Sequence, residues 1–310
     1  MEEKLEIMNL LQNKQLLENE LKSLAYGSVE IRENESNKYI YVHYREDGVA
    51  LTKYVGEYSN ELYNLVLNNS IKAKELKKQI REINKKLKQL NYIEEDLSEK
   101  IEQNIDFAKR HLVDTIYKQA ILEGVATTFA DTESIIEGGK VNNMTSEDIM
   151  KIVNLKHAWE FILNKNVILS NTNFTLLCEI NKMVEEGFYY SAGKVRNVPV
   201  TIGGTTWKPN LPIESVIKEE LEKIFNDEMD DIDRAIELLL YTMKKQVFID
   251  GNKRTSVIFC NHYLISKGKG IISIPAELTA KFKDLLISYY EGKDEKQIKK
   301  FIKEKCYMGI

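Results

Sequence analysis

Proline is scarce in this sequence, four residues in 310, and glycine numbers only fifteen. So few chain breakers exclude a loop-rich chain and, with 30% charged residues, favour a mostly helical one. The three cysteines, Cys178, Cys260 and Cys306, are odd in number and widely spaced. A disulfide framework is therefore not expected, and a reducing cytoplasm is the expected compartment. No apolar run could span a bilayer, and Met1-Glu2-Glu3-Lys4 is too acidic to open a signal peptide, so no membrane is expected as a partner. A net charge of -4 gives no global case for nucleic acid. Paired-histidine zinc helices, Cys-x-x-Cys pairs and Walker-type loops are also missing. His43, His111 and His157 stand alone and read as packing or surface residues.

Against these absences, 43% hydrophobic residues provide for a substantial core and for more than one domain. The most informative stretch is Gln246-Val247-Phe248-Ile249-Asp250-Gly251-Asn252-Lys253-Arg254. Before it, Ile232, Ala235, Ile236, Leu239, Leu240 and Met243 recur at helical steps. After it, Val257, Cys260 and Leu264 do the same, with Ile258 and Ile265 beside them. A loop between two helices results. Asp250 can hold a divalent cation, Gly251 lets the backbone approach a ligand, and Asn252 can cap the second helix, whose free N–H groups attract phosphate. Arg254 lies in the first turn, where its fork of donors can reach phosphate oxygens. Asp-Gly-Asn alone also reads as a turn with an N-cap.

The full run is more specific. It resembles the Fic/Doc family signature His-Pro-Phe-x-Asp-Gly-Asn-x-Arg at Phe248, Asp250, Gly251, Asn252 and Arg254. The resemblance implies a helical fold in which Phe248 anchors the loop and Asp250 holds magnesium. It also implies that Gly251, Asn252 and Lys253 line the phosphates and that Arg254 contacts them. ATP is the implied substrate and Mg2+ its cofactor. Two positions depart from the signature. Val247 replaces the proline, which touches loop stiffness. Gln246 replaces the histidine that takes the proton from the target hydroxyl, and a carboxamide can orient a hydroxyl but cannot act as a general base.

Two further segments carry the resemblance. In Ser191 to Pro209, Val198, Val200 and Ile202 alternate before Gly203-Gly204, and Thr205 to Trp207 can return as a second strand. This resembles the Fic flap, in which Val200, Thr201, Ile202, Gly203 and Gly204 would hold an extended target segment by main-chain hydrogen bonds. Upstream, Ser134-Ile135-Ile136-Glu137-Gly138 within 127–138 resembles the inhibitory segment of some Fic proteins. Glu133 occupies the Ser/Thr position there, and the second motif arginine is Val257. Glu137 then either meets Lys253 or is an ordinary helix-end residue.

The N-terminal third is different in kind. Ile7, Leu10, Leu17, Leu21 and Leu24, with Lys14 between, form a short coiled-coil seam. Val29, Ile31, Tyr39, Tyr41, His43, Ala50, Thr52 and Tyr54 alternate as a three-stranded sheet with a turn at Asp47-Gly48. From about Asn60 the helical period returns through Leu62, Val66, Ala73, Leu76, Ile80, Ile83, Leu87 and Leu90. Lysines and arginines crowd 71–90, which reads as a solvated coiled-coil face or as a nucleic-acid contact. The slightly acidic hairpin favours the former. A charge reversal at 91–97 marks a domain boundary.

The expected fold is thus mainly α. A Fic-like helical bundle with a β-hairpin flap spans 97–310, and an N-terminal antiparallel helical hairpin bearing a small three-stranded sheet spans 1–92. The expected function is transfer of AMP from ATP to a hydroxyl of a target protein, with activity reduced by Gln246. A Doc-like kinase, pointed to by Lys253, and a nucleotide-binding pseudoenzyme are the alternatives. Expected partners are a target protein at the flap and, beyond it, a second copy or an antitoxin-like regulator. The C-terminal helices read as core, and His262 lies about 12 Å along its helix from Arg254, too far to replace the missing histidine.

Overall fold

Long helices dominate the chain, as the scarcity of proline and glycine predicts. The computed structural model describes residues 2–34, 37–46, 49–90, 92, 97–142, 144–293 and 295–310. The chain divides into two compact units, Met1–Ile93 and Glu94–Ile310.

In the first unit, α1 (Glu2–Ser23) leads to the strands β1 (Ser28–Asn34), β2 (Asn37–Glu46) and β3 (Val49–Glu57), and α2 (Asn60–Gln89) returns. Glu20 pairs with Lys72, and Leu17 shares a groove with Ile83 and Lys86. Partner numbers rise along α2 as they fall along α1, the antiparallel order expected of a hairpin. The burial pattern departs from a coiled-coil seam: Leu17 and Leu21 are half-buried, whereas Leu11, Gln12 and Gln15 are buried. The sheet is antiparallel in the order β1-β2-β3. Its core parity falls on Ile40 and Val42, which pack with Val66 of α2. Tyr39, Tyr41 and His43 take the opposite face, where Tyr41 meets Tyr54 and Arg32 lies over Tyr41. The turn at Asp47-Gly48 lies outside the described residues.

The second unit is helical. It comprises α3 (Glu99–Arg110), α4 (Leu112–Leu122), α5 (Phe129–Ile136), α6 (Ser146–Ile162), the short α7 (Lys165–Ile168), α8 (Phe174–Val184), α9 (Glu214–Asn226), α10 (Asp231–Lys245), α11 (Asn252–Ser266), α12 (Thr279–Tyr290) and α13 (Glu295–Lys305). A two-residue strand β4 (Ile271–Ile272) pairs with β5 (Tyr307–Met308). Side chains cap several helix starts: Thr128, Thr145, Asn173 and Asp230 each accept a main-chain N–H of the first turn.

Helix α11 is the axis of this unit. It packs on α3, α6, α8 and α10, and almost every residue on it is buried, including Val257, Phe259, Cys260, Leu264 and Ile265. A helix buried on all sides needs neighbours on all sides and partners for its polar groups. Polar residues deeper along it are paired within the protein. Asn261 donates to Val257 O and Ile272 O and accepts from Ile272 N. His262 contacts Val167 O at 2.9 Å and Thr172 Oγ1 at 2.8 Å, and burial lowers its pKa to about 4. It is therefore a neutral core residue. The site loop thus springs from the most rigidly enclosed helix in the unit.

Candidate functional site

The loop between α10 and α11 begins at a strained residue. Gln246 closes α10 with φ 47°, and among the described residues no other non-glycine has a positive φ. A left-handed backbone costs an L-residue roughly 1–2 kcal/mol, so its surroundings must fix it. They do so from two sides. Gln246 Nε2 donates to Met243 O at 2.7 Å, and Met243 O also accepts Tyr290 Oη–H at 3.1 Å. From outside, Arg196 Nε donates to Gln246 O at 2.6 Å and Arg196 N to Val247 O at 3.0 Å.

Val247 and Phe248 are buried, so the loop is anchored as expected. Asn252 holds it closed: Phe248 N donates to Asn252 Oδ1 at 2.9 Å, and Asn252 Nδ2 donates to Phe248 O at 2.8 Å. This corrects one expectation. The N-cap of α11 is Gly251, with φ 71°, and Asn252 is the first helical residue. Its amide is spent on the loop, and no side chain caps the main-chain N–H groups of the first turn. Asp250 is exposed and accepts Gly251 N at 2.7 Å through Oδ1. Asn181 on α8 fixes the far side, donating to Asp250 O and Thr255 Oγ1 at 3.1 Å each and accepting Gly193 N at 2.8 Å.

The charges are concentrated on Arg254. Its side chain is only 3% exposed, and Nη2 lies 2.8 Å from Glu185 Oε1, on a side chain only 2% exposed. Asp250 Oδ1 is 3.8 Å from Nη2, and Glu123 Oε2 is 4.0 Å from Nε. Lys253 Nζ lies 3.5 Å from Glu123 Oε1. Burial raises the Glu185 carboxyl to about 7 against the pull of Arg254, with Asp250 and Glu123 adding to the rise. Arg254 Nε and Nη1 are buried and have no hydrogen-bond acceptor among the described residues. Unused guanidinium donors in the first turn of a helix are an arrangement that accepts an anion.

The stretch expected to be a β-hairpin flap differs. Residues 198–207 hold a turn at Gly203-Gly204 without strand pairing on either side. Pro199 and Pro209 supply no N–H to a ladder, and side chains hold the segment instead. Arg196 Nη1 donates to Val198 O and Nη2 to Asn210 O, both at 2.7 Å. Trp207 stacks on Tyr290 at 5.4 Å and 22°, and Thr205 Oγ1 donates to Glu291 at 2.7 Å. Thr201, Gly203 and Gly204 are exposed, and Val200 and Ile202 are half-buried. Arg196 therefore ties the flap's base to the motif loop.

Glu137 does not reach the loop. It is the exposed C-cap of α5, with Gly138 in the turn beyond, and the acid beside Lys253 is Glu123. α4 ends at the motif, whereas α5 starts after Gly124 and leads its own C-terminus elsewhere. The sequence signal was available, because Glu123-Gly124 is also a Glu-Gly pair at a helix end. Gln119, four residues earlier, donates to Arg254 O at 2.7 Å and accepts Trp159 Nε1–H at 3.0 Å. Glu185, Asn181 and Arg196 carried no comparable sequence signal.

Residues 171–264 match the model of the Fic/DOC family, described as "Fic". No curated protein matches the sequence. Among solved structures, Fic-1 (aa134–508) from C. elegans superposes with a TM-score of 0.53 at 17% identity, covering 78% of this chain and 79% of that one. A Fic domain containing signaling protein from Bacteroides thetaiotaomicron gives 0.53 at 16% identity, covering 67% and 86% respectively. A Fic family protein from Desulfovibrio desulfuricans gives 0.52 at 12% identity, covering 68% and 73%. At such identities these likenesses establish the fold. The chain thus carries a segment similar to the Fic/DOC family model and shares the fold of these Fic proteins, mainly helical with a small antiparallel sheet.

Proposed function

We propose that the loop Val247–Arg254 binds ATP with magnesium and that the protein transfers AMP to a hydroxyl of a target protein. The observation that carries this reading is the buried Arg254 guanidinium, whose Nε and Nη1 lack an acceptor among the described residues. Phosphate oxygens arriving at the start of α11 satisfy both those donors and the free main-chain N–H groups of its first turn. No group of three or more His, Cys, Asp or Glu suited to a metal occurs among the described residues. Magnesium in nucleotide sites uses one or two carboxylates plus the phosphates, so the exposed Asp250 fits it. Bound there, the ion neutralises charge on the leaving pyrophosphate.

In this reading the target hydroxyl attacks the α-phosphorus, and the bond to pyrophosphate breaks. Gln246 keeps Nε2 on Met243 O, which leaves Oε1 to accept a hydrogen bond from the hydroxyl and orient it. The proton leaves to water, because the amide has no basicity near neutral pH. The same contact favours a second reading, a nucleotide-binding module without chemistry, since the side chain is drawn back onto its own helix. Incubation with a lysate and ATP labelled separately at the α and γ phosphates distinguishes them. AMP transfer leaves α label alone on a target, and a kinase leaves γ label alone. Nucleotide binding with neither label supports the module, and absence of ATP binding defeats the site assignment.

A further inference from the structure

A groove of about 660 Å³ opens in the N-terminal unit between the last turn of α1, the strands β2 and β3, and the middle of α2. Its aliphatic lining is Leu21, Leu24, Ile80 and the buried Val42. Its rim is cationic: Lys22, Lys53, Lys77 and Arg81 border it, against Glu18 as the one carboxylate lining it. Glu18 already faces Lys14 at 3.9 Å. Lys72 and Lys38 of the same unit have acidic partners, Glu20 and Glu33. Among the described residues the four rim cations have none. Lys77 lies 4.6 Å over the ring of Tyr26, which in turn meets Tyr44 at 5.8 Å.

We propose that this groove docks an acidic peptide segment of a partner protein, with a hydrophobic side chain set between carboxylates. Charge complementarity selects the sign of the ligand. Four unpaired cations around one small depression repel one another, and an anionic occupant removes that repulsion. The lining selects the class. A nucleic-acid strand gains most of its non-electrostatic binding by stacking bases on free aromatic faces. Here Lys77 covers one face of Tyr26 and Tyr44 leans against it at 47°, while the remaining apolar lining is aliphatic. An aliphatic or aromatic side chain buried on Leu21 and Ile80 gains about 25 cal/mol per Å² instead. The volume falls within the range of pre-formed ligand pockets, about 300–1,000 Å³, and accommodates a short segment of chain. Exposed ion pairs contribute little singly, so binding needs anchor and carboxylates together and weakens as salt screens the rim.

The test uses the full chain and a fluorescein-labelled ten-residue peptide carrying glutamates around a central Leu-Phe pair, followed by anisotropy. Three comparison probes are the same peptide with lysines for glutamates, the peptide with serines for Leu-Phe, and a labelled oligo-dT strand. The acidic peptide is expected to bind saturably and about tenfold or more tighter than each comparison probe, with affinity falling as salt rises. Lys77→Glu/Arg81→Glu is expected to weaken it about tenfold or more. Lys22→Glu/Lys53→Glu, which alters only exposed side chains, is expected to do the same without changing the thermal midpoint. ATP binding remains unchanged in both variants. Equal binding of acidic and basic peptides, full affinity in both charge-reversed variants, or tighter binding of oligo-dT each overturns the proposal.

Discussion

Arg254 Nη2 lies 2.8 Å from Glu185 Oε1, joining the first turn of α11 to the C-cap of α8 with both side chains nearly inaccessible to solvent. This pair decides how the loop presents charge. Glu185 faces one edge of the guanidinium, and Nε and Nη1 have no acceptor among the described residues. It also fills the space where any larger residue at position 251 would place its Cβ.

Removing one member of a buried ion pair leaves the other uncompensated. Above about pH 7, where Glu185 is ionised, Glu185→Ala is therefore expected to lower stability by about 3–5 kcal/mol, read from urea denaturation. Glu185→Gln, which keeps the shape, should lose less. A change below about 1 kcal/mol in the alanine variant counts against the pairing.

The same carboxyl makes stability depend on pH. Burial raises Glu185 from 4.5 to about 7, so between those values the folded protein keeps a proton that the unfolded chain releases. The folded state binds more protons there, and stability contributed by this group falls as pH rises through that window and levels off above it. The difference between wild type and Glu185→Gln in urea midpoint should change across pH 4.5–7 and be constant above. A constant difference throughout would show that Glu185 stays ionised.

Gly251 has φ 71°, and a Cβ there meets Glu185 Oε1, the carboxylate that holds Arg254. Gly251→Ala combines backbone strain with displacement of the pair, an expected loss of about 2 kcal/mol or more. ATP affinity of the folded variant should fall with it, since Arg254 loses its support. Calorimetry on the purified variant measures both.

Glu123 lies beside Lys253 and Arg254, whereas Glu137 is exposed at the end of α5. Phosphates compete with Glu123 for those cations. Glu123→Gln is expected to tighten ATP binding several-fold, an effect of about 1 kcal/mol. Glu137→Gln should leave it unchanged. The reverse ranking would return the regulatory role to Glu137.

A general base contributes about a hundred- to ten-thousand-fold to rate. Gln246→His is expected to raise α-label transfer within that range, because histidine tolerates the left-handed backbone at this position better than most residues. A folded, ATP-binding Gln246→His variant with no gain would show that the missing base is not what limits the chemistry.

Much of the fold was legible in the chain itself. The helical steps of α10 and α11, the loop between them and the three strands of the N-terminal unit follow from local periodicity and turn chemistry, which act over a few residues. Phe248 is buried, as expected of the residue that anchors the loop. The flap was misread because alternation in Val198, Val200 and Ile202 signals a strand only where a ladder can form. Two prolines and the Trp207–Tyr290 stack hold the segment by side chains instead.

The charged surroundings of the loop were not legible in the same way. Glu123, Glu185 and Arg196 lie far from the motif in sequence, and apart from the Glu123-Gly124 pair nothing local distinguishes them from other polar residues. Their roles exist only once α4, α8 and the flap's base are brought against α10 and α11. The sequence by itself determined the helices, the loop chemistry and the loss of a basic group at position 246, because these depend on residue identity and short spacing. Only the tertiary structure decided which carboxylates bracket Arg254 and that Gln246 is held left-handed. Those facts depend on burial and on contacts between residues remote along the chain.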